Sequence, residues 1–106
     1  MDHKAFVKRV IDGDTFECTV FLDFCISLEI TVRLLGVDTW ELHGDQKELG
    51  FAARKFLKDM IESKEILITP QKKDSFGRWL CFAHYNSQDL TELMQIYKKK
   101  IIKSLV

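Results

Sequence analysis

Between Ile26 and Leu34 the chain alternates without a break, with Ile26, Leu28, Ile30, Val32 and Leu34 apolar and Ser27, Glu29, Thr31 and Arg33 polar. A period of two puts successive side chains on opposite faces, so the segment is a strand with one face buried. Arg33 falls on the polar phase and points away from the core side. Residues 5–11 and 15–22 read as two further strands around Asp12-Gly13-Asp14, and Asp-Gly is among the strongest short turn signals. A tight turn therefore presents Asp14.

Gly36-Val37-Asp38-Thr39-Trp40-Glu41 closes the alternating strand, and the polar stretch 42–47 reads as a surface loop. From Glu48 to Ser63, Leu49, Ala52, Ala53, Phe56, Met60 and Ile61 recur at three- and four-residue spacing, which predicts an amphipathic helix. Residues 64–70 and 78–85 read as strands separated by a turn at 72–77, so that Arg78 emerges directly after it. A last helix over 89–104 opens on Asp89 with Glu92 three residues on, a capping-box pattern, and is striped by Leu90, Leu93, Met94, Tyr97 and Ile101. Three strands, a helix, two strands and a helix make a mixed β+α class. They suit a five-stranded Greek-key barrel of the oligonucleotide-binding (OB) type with two packed helices. An open antiparallel sheet carrying two helices has the same pattern.

The 106 residues fit one domain, 1–106. Sixteen Lys plus Arg balance sixteen Asp plus Glu, so bulk basicity gives no reason for a nucleic-acid partner, and any such partner must be held locally. Cys18, Cys25 and Cys81 form no CxxC pair and lie among apolar residues. They read as buried free thiols in a reducing compartment. The amino terminus lacks the apolar stretch of a secretory signal, which points to a cytoplasmic location. No apolar run is long enough to span a bilayer, so a membrane role is not expected.

Hydrolysing a phosphodiester requires neutralising charge at phosphorus, placing a water in line and removing its proton. Asp14 and Asp38, at two strand ends, are hard-oxygen candidates for a cation. Glu41 is a nearby proton acceptor. Arg33 and Arg78 carry the planar fork that suits phosphate oxygens. Both are read as facing phosphate rather than core, so either is removable without loss of the fold. Taken singly, each residue has a plain alternative: turn former, strand-end cap, loop solvation or surface ion pair. Lys98, Lys99, Lys100 and Lys103 read as the solvated side of a helix, and His43 as a solvated loop histidine. Phe76 and Trp79 read as core or rim packing.

The joint pattern narrows the choice: Asp-Gly-Asp-Thr at 12–15, Val-Arg-Leu-Leu-Gly-Val-Asp-Thr-Trp-Glu at 32–41 and Asp-Ser-Phe-Gly-Arg at 74–78, with a helix between the last two. From about Val7 to Met94 the chain resembles the thermonuclease, or micrococcal nuclease, family. The resemblance implies an OB-type barrel and a Ca2+-dependent endonuclease acting on DNA, preferably single-stranded, and RNA, leaving 3′-phosphates; the chain is expected to be a monomer. It implies that Asp14 and Asp38 bind the calcium with the main-chain carbonyl of Thr39, that Glu41 is the general base, and that Arg33 and Arg78 bind phosphate. The alternative is a catalytically weak or inactive OB-fold nucleic-acid-binding module. Trp40 stands where the family usually has proline, Thr91 where asparagine is common, and the segment between Thr15 and Arg33 is longer than in the secreted bacterial enzymes. Without the proline the chain between Thr39 and Glu41 is less stiff, so a less firmly positioned base is expected.

Overall fold

In the computed structural model, which describes residues 1–105, the strands on either side of the Asp-Gly turn are β1 (His3–Asp12) and β2 (Thr15–Phe21), and the alternating segment is β3 (Ser27–Leu34). Val106 lies outside the described residues. Helix α1 (Lys47–Ile61) follows, then β4 (Glu65–Lys73), β5 (Trp79–Tyr85), a two-residue β6 (Gln88–Asp89) and α2 (Leu90–Ser104). The sheet order is β3-β2-β1-β4-β5-β6, antiparallel throughout, and a parallel pairing of β3 with β5 joins its ends. Val32, Arg33 and Leu34 lie opposite Trp79, Leu80 and Cys81 in that seam. The five long strands therefore close into a mixed barrel, and the open-sheet alternative is excluded.

Alternation fills the interior. Val7, Val10, Phe16, Cys18, Val32, Leu34, Ile68, Cys81 and Ala83 are buried together. Helix α1 lays Gly50, Ala53, Leu57 and Ile61 on the barrel, so Leu57 belongs to the buried stripe while Ala52, expected there, is exposed. Helix α2 contributes Leu90, Thr91 and Met94, and a stacked Phe56–Tyr97 pair, ring centres 4.5 Å apart, ties the two helices together. The Asp89 side chain accepts from the Thr91 N–H, which gives α2 its N-cap.

The β2–β3 hairpin departs from expectation at its tip, where Phe24, Ile26 and Leu28 are exposed and the buried phase of β3 begins only further along. Cys25 is exposed there as well, whereas Cys18 and Cys81 are buried. Burial, followed by the neighbouring Cys81 and Glu29, pushes the Cys18 thiol up to about 12. Burial alone pushes Cys81 up to about 11. Since the thiolate is the reacting form, native protein at pH 8 is expected to give one fast equivalent with a disulfide reagent, from Cys25. Cys18 and Cys81 should react only after unfolding. Three fast equivalents in the native state would contradict the burial. No helix among the described residues is long and apolar enough to cross a membrane.

Candidate active site

The site gathers where the β1–β2 turn meets the end of β3. A bulge in β1 between Val10 and Asp12 breaks the ladder, and α1 with its C-cap residue Glu62 holds Val10: the Val10 N–H donates to Glu62 Oε1 at 2.9 Å, and Arg54 Nε donates to the Val10 carbonyl at 3.2 Å. This sets the direction of the Asp12-Gly13-Asp14 turn. Gly13 is required by proximity, because a Cβ there would stand 2.6 Å from Thr39 Oγ1 and 2.8 Å from the Ala53 Cβ. The turn then locks to β3 through the Leu34 N–H, which donates to the Asp14 carbonyl at 2.8 Å.

Asp14 is buried, only 6% exposed. Its Oδ2 accepts from the Thr39 N–H at 2.9 Å, and its Oδ1 accepts from the Thr15 hydroxyl at 3.0 Å. Arg33 Nη2 lies 3.6 Å from Oδ2. Burial opposes its charge, but the hydrogen bonds from Asp12, Thr39 and Thr15 and the Arg33 charge outweigh it, so the Asp14 carboxyl sits below the usual carboxylate range. Asp12 goes the other way. Burial first, and then the adjoining Asp14 carboxylate, raise it to about 6. Asp12 is a member of the corner that sequence reasoning treated only as a turn residue; the signal was there, since an Asp-Gly-Asp turn carries two carboxylates.

Arg33 is the hub. Its Nη1 donates to the Leu34 and Val37 carbonyls at 2.7 and 2.6 Å, and its Nη2 pairs with Asp38 as well as Asp14. It lies outside the barrel interior, yet its side chain is only 16% exposed, because the chain from Leu34 to Asp38 wraps it. Arg78 is held more simply. Its Nε donates to Asp74 Oδ2 at 2.7 Å, while Asp74 Oδ1 accepts from the N–H groups of Phe76 and Arg78, both at 2.9 Å. The exposed Phe76 ring lies 5.4 Å from the guanidinium carbon. Arg33, Asp38, Asp74, Phe76 and Arg78 line one open cleft of about 410 Å³.

Glu41 stands apart from that cleft. It is exposed, with its Oε2 3.5 Å from His43 Nε2. With Thr39, Trp40, His43 and Lys98 it lines a second hollow of about 590 Å³, which adjoins the first at the Asp38–Thr39 step. Folding thus brings Asp14, Arg33, Asp38 and Thr39 together and places Arg78 in the cleft of Arg33 and Asp38, whereas Glu41 lines the neighbouring hollow with Thr39.

A hard divalent cation suits the donors at this corner. Asp14 and Asp38 both pair with Arg33 Nη2, so a divalent cation bridging the two carboxylates would share the corner with that guanidinium. No group of three or more His, Cys, Asp or Glu side chains suited to a metal occurs among the described residues. A cation here would therefore be held by two carboxylates, with main-chain carbonyl and water oxygens completing its shell, as hard cations accept.

A model of the staphylococcal nuclease homologue family matches residues 31–101, well over half the chain. The chain belongs to that family. Within the nuclease-family match lie Arg33, Asp38, Thr39, Glu41 and Arg78, whereas Asp14 precedes it. The chain is also similar to an uncharacterized protein of Methanocaldococcus jannaschii, 29% identical over 107 aligned positions that cover 78% of this chain and 49% of the relative. It spans about half the length of that curated relative.

Gly50 is a further residue of this nuclease-family chain that bears on the Trp40–Glu41 segment and that the sequence alone gave no reason to single out. A Cβ there would stand 2.1 Å from the Glu41 carbonyl oxygen and 3.0 Å from that of Trp40, both main-chain atoms. The Trp40–Glu41 backbone lies directly on α1 because the helix has no side chain there. Ala is favoured over Gly in a helix by about 1 kcal/mol, but main chain cannot step aside as a side chain does. Gly50→Ala is accordingly expected to lose about 2 kcal/mol net, a fall in melting temperature on the order of 10 °C. A thermal melt in which Gly50→Ala gains stability would contradict the close approach.

Proposed function

We propose that residues 1–106 act as one unit, a monomeric Ca2+-dependent endonuclease that hydrolyses phosphodiester bonds of DNA, preferably single-stranded, and RNA, and leaves 3′-phosphates. The observation that carries this is the sharing of one open cleft by two arginines, with Asp38 at its wall and the buried Asp14 carboxylate paired to Arg33 behind it. Arg78, oriented by Asp74, and Arg33, whose Nη2 faces Asp38, bind the oxygens of a single phosphate and stabilise the charge that grows there in the transition state. Arg78 lies toward the departing 5′ oxygen. Asp14, Asp38 and the Thr39 carbonyl would hold calcium, which supplies charge neutralisation at phosphorus and draws the attacking water toward it. Glu41 orients that water and accepts its proton, which requires it to turn from His43 toward the cleft.

One observation favours a second reading, a nucleic-acid-binding module without chemistry: Glu41 lines a different hollow, beside His43. Incubation of a single-stranded oligonucleotide with the protein and calcium separates the two. The nuclease produces fragments whose fresh 5′ ends a phosphatase-free polynucleotide kinase labels without prior dephosphorylation. Labelling only after phosphatase treatment contradicts the polarity, and retention of the full-length oligonucleotide in a gel shift supports the binding module.

A further inference from the structure

Five successive carbonyls run from the end of β3 to the acidic corner, and a side chain takes each one. Arg33 takes those of Leu34 and Val37. The other three are taken from α2: the Thr91 hydroxyl donates to the Leu35 carbonyl at 2.8 Å, Gln95 Nε2 to that of Gly36 at 2.7 Å, and Lys98 Nζ to that of Asp38 at 2.5 Å. Thr91, Gln95 and Lys98 are spaced four and three residues apart, so they form one ladder along one face of the helix. Connecting segments usually leave their carbonyls to water and are correspondingly mobile. A segment whose carbonyls are all taken by side chains from two elements is held in one conformation.

The last rung does more than the other two. The Lys98 ammonium also lies 5.6 Å from the centre of the Trp40 ring, within cation–π range, and Trp40 is only 8% exposed. Lys98 thus grips the chain on both sides of Thr39, by the carbonyl before it and the ring after it. Gly50 supports the same stretch from α1. A tryptophan where the family usually has proline therefore does not leave this stretch loose. It is anchored from outside rather than stiffened from within.

We propose that Lys98 is a positioning residue for cleavage: through the Asp38 carbonyl and the Trp40 ring it fixes the Asp38–Glu41 segment against α2 and so sets where Asp38, Thr39 and Glu41 stand. The proposal rests on the nuclease reading above. It differs from the plain role of a helix lysine, which is to attract a phosphate backbone, and the two have different kinetic signatures. Loss of a positioning group lowers kcat, whereas loss of a phosphate contact made equally in ground and transition states raises KM.

The test compares Lys98→Met, which keeps the aliphatic stem, with Lys98→Arg, which keeps the charge and the donors. Each is measured on a single-stranded oligonucleotide with calcium. Lys98→Met is expected to lower kcat about tenfold, as a small misplacement of reacting groups does, and to leave KM within about twofold. Lys98→Arg should recover most of the rate. In a Trp79→Phe background without calcium, acrylamide quenching reads Trp40 alone, and Lys98→Met should quench more. Gln95→Ala, one rung down, should lower kcat less and leave the Trp40 signal unmoved. An unchanged kcat in Lys98→Met, or a rise in KM that accounts for the whole loss, overturns the proposal. Should the wild type not cleave, the nuclease reading falls on its own. Quenching then still decides the grip: greater quenching in Lys98→Met upholds it, and equal quenching overturns it.

Discussion

Arg78→Ala is expected to lower cleavage by about a hundredfold or more, the cost of about 3 kcal/mol when a charged donor to a transition state is lost, while the melting temperature changes little. The turn that carries Arg78 does not depend on its guanidinium, because Asp74 Oδ1 keeps the N–H groups of Phe76 and residue 78. Arg33→Ala should be different in kind. Arg33 is tied to two carbonyls and stands beside a carboxylate that is almost fully buried. Its removal leaves that charge without its cation, a loss of about 3 kcal/mol or more, so inactivity would come with a melting temperature lower by on the order of 10 °C. On this geometry only Arg78 is expected to be removable without harm to the fold, where the sequence alone suggested that both arginines would be, which makes Arg78→Ala the informative variant. Wild-type turnover by folded Arg78→Ala would contradict its assignment.

Calcium is expected to raise the melting temperature of the wild type by several degrees. A ligand held by the native state alone stabilises it by RT ln(1 + [L]/Kd), roughly 1.4 kcal/mol at about ten times the dissociation constant. A site of two carboxylates should be weak, so millimolar calcium is the relevant range, and magnesium, with its stricter octahedral demand, should shift the melt less. Asp38 gives the clean control. Its side chain is 83% exposed and paired with Arg33, so Asp38→Ala should leave the calcium-free melt close to wild type and remove most of the shift. Asp14→Ala is less clean, because it also strips the Thr39 N–H and the Thr15 hydroxyl of their partner. A wild-type melt unmoved by millimolar calcium, or an equal shift in Asp38→Ala, would sink the metal assignment.

The barrel was legible where the signal is local. The alternation ending at Leu34, the Asp12-Gly13-Asp14 turn and the Asp89 cap all appear where periodicity and turn chemistry place them. Closure was not legible, because the parallel seam joins Val32 to Trp79 and Leu34 to Cys81 across more than forty residues, and alternation says only that a face is buried, not against what. The same limit explains Leu28 and Cys25. Both have core chemistry, yet the hairpin carries them beyond the part of β3 that β5 covers. At the site, residue types identified the arginines and acids but not their partners. That Arg33 would be wrapped by its own strand end, and that Lys98 would reach a carbonyl 60 positions away, depends on how α2 docks. Gly50 could be read as a flaw in a helix until the Glu41 carbonyl is seen to lie against it.

Incubating purified protein with denatured DNA in calcium, in magnesium and in chelator, with Arg78→Ala beside it, decides whether the cleft of Arg33 and Arg78 is the centre of a cation-dependent nuclease. Progressive shortening is expected in calcium, less in magnesium, none in chelator and almost none with the variant. Intact DNA in every lane, or equal digestion by wild type and Arg78→Ala, would contradict it.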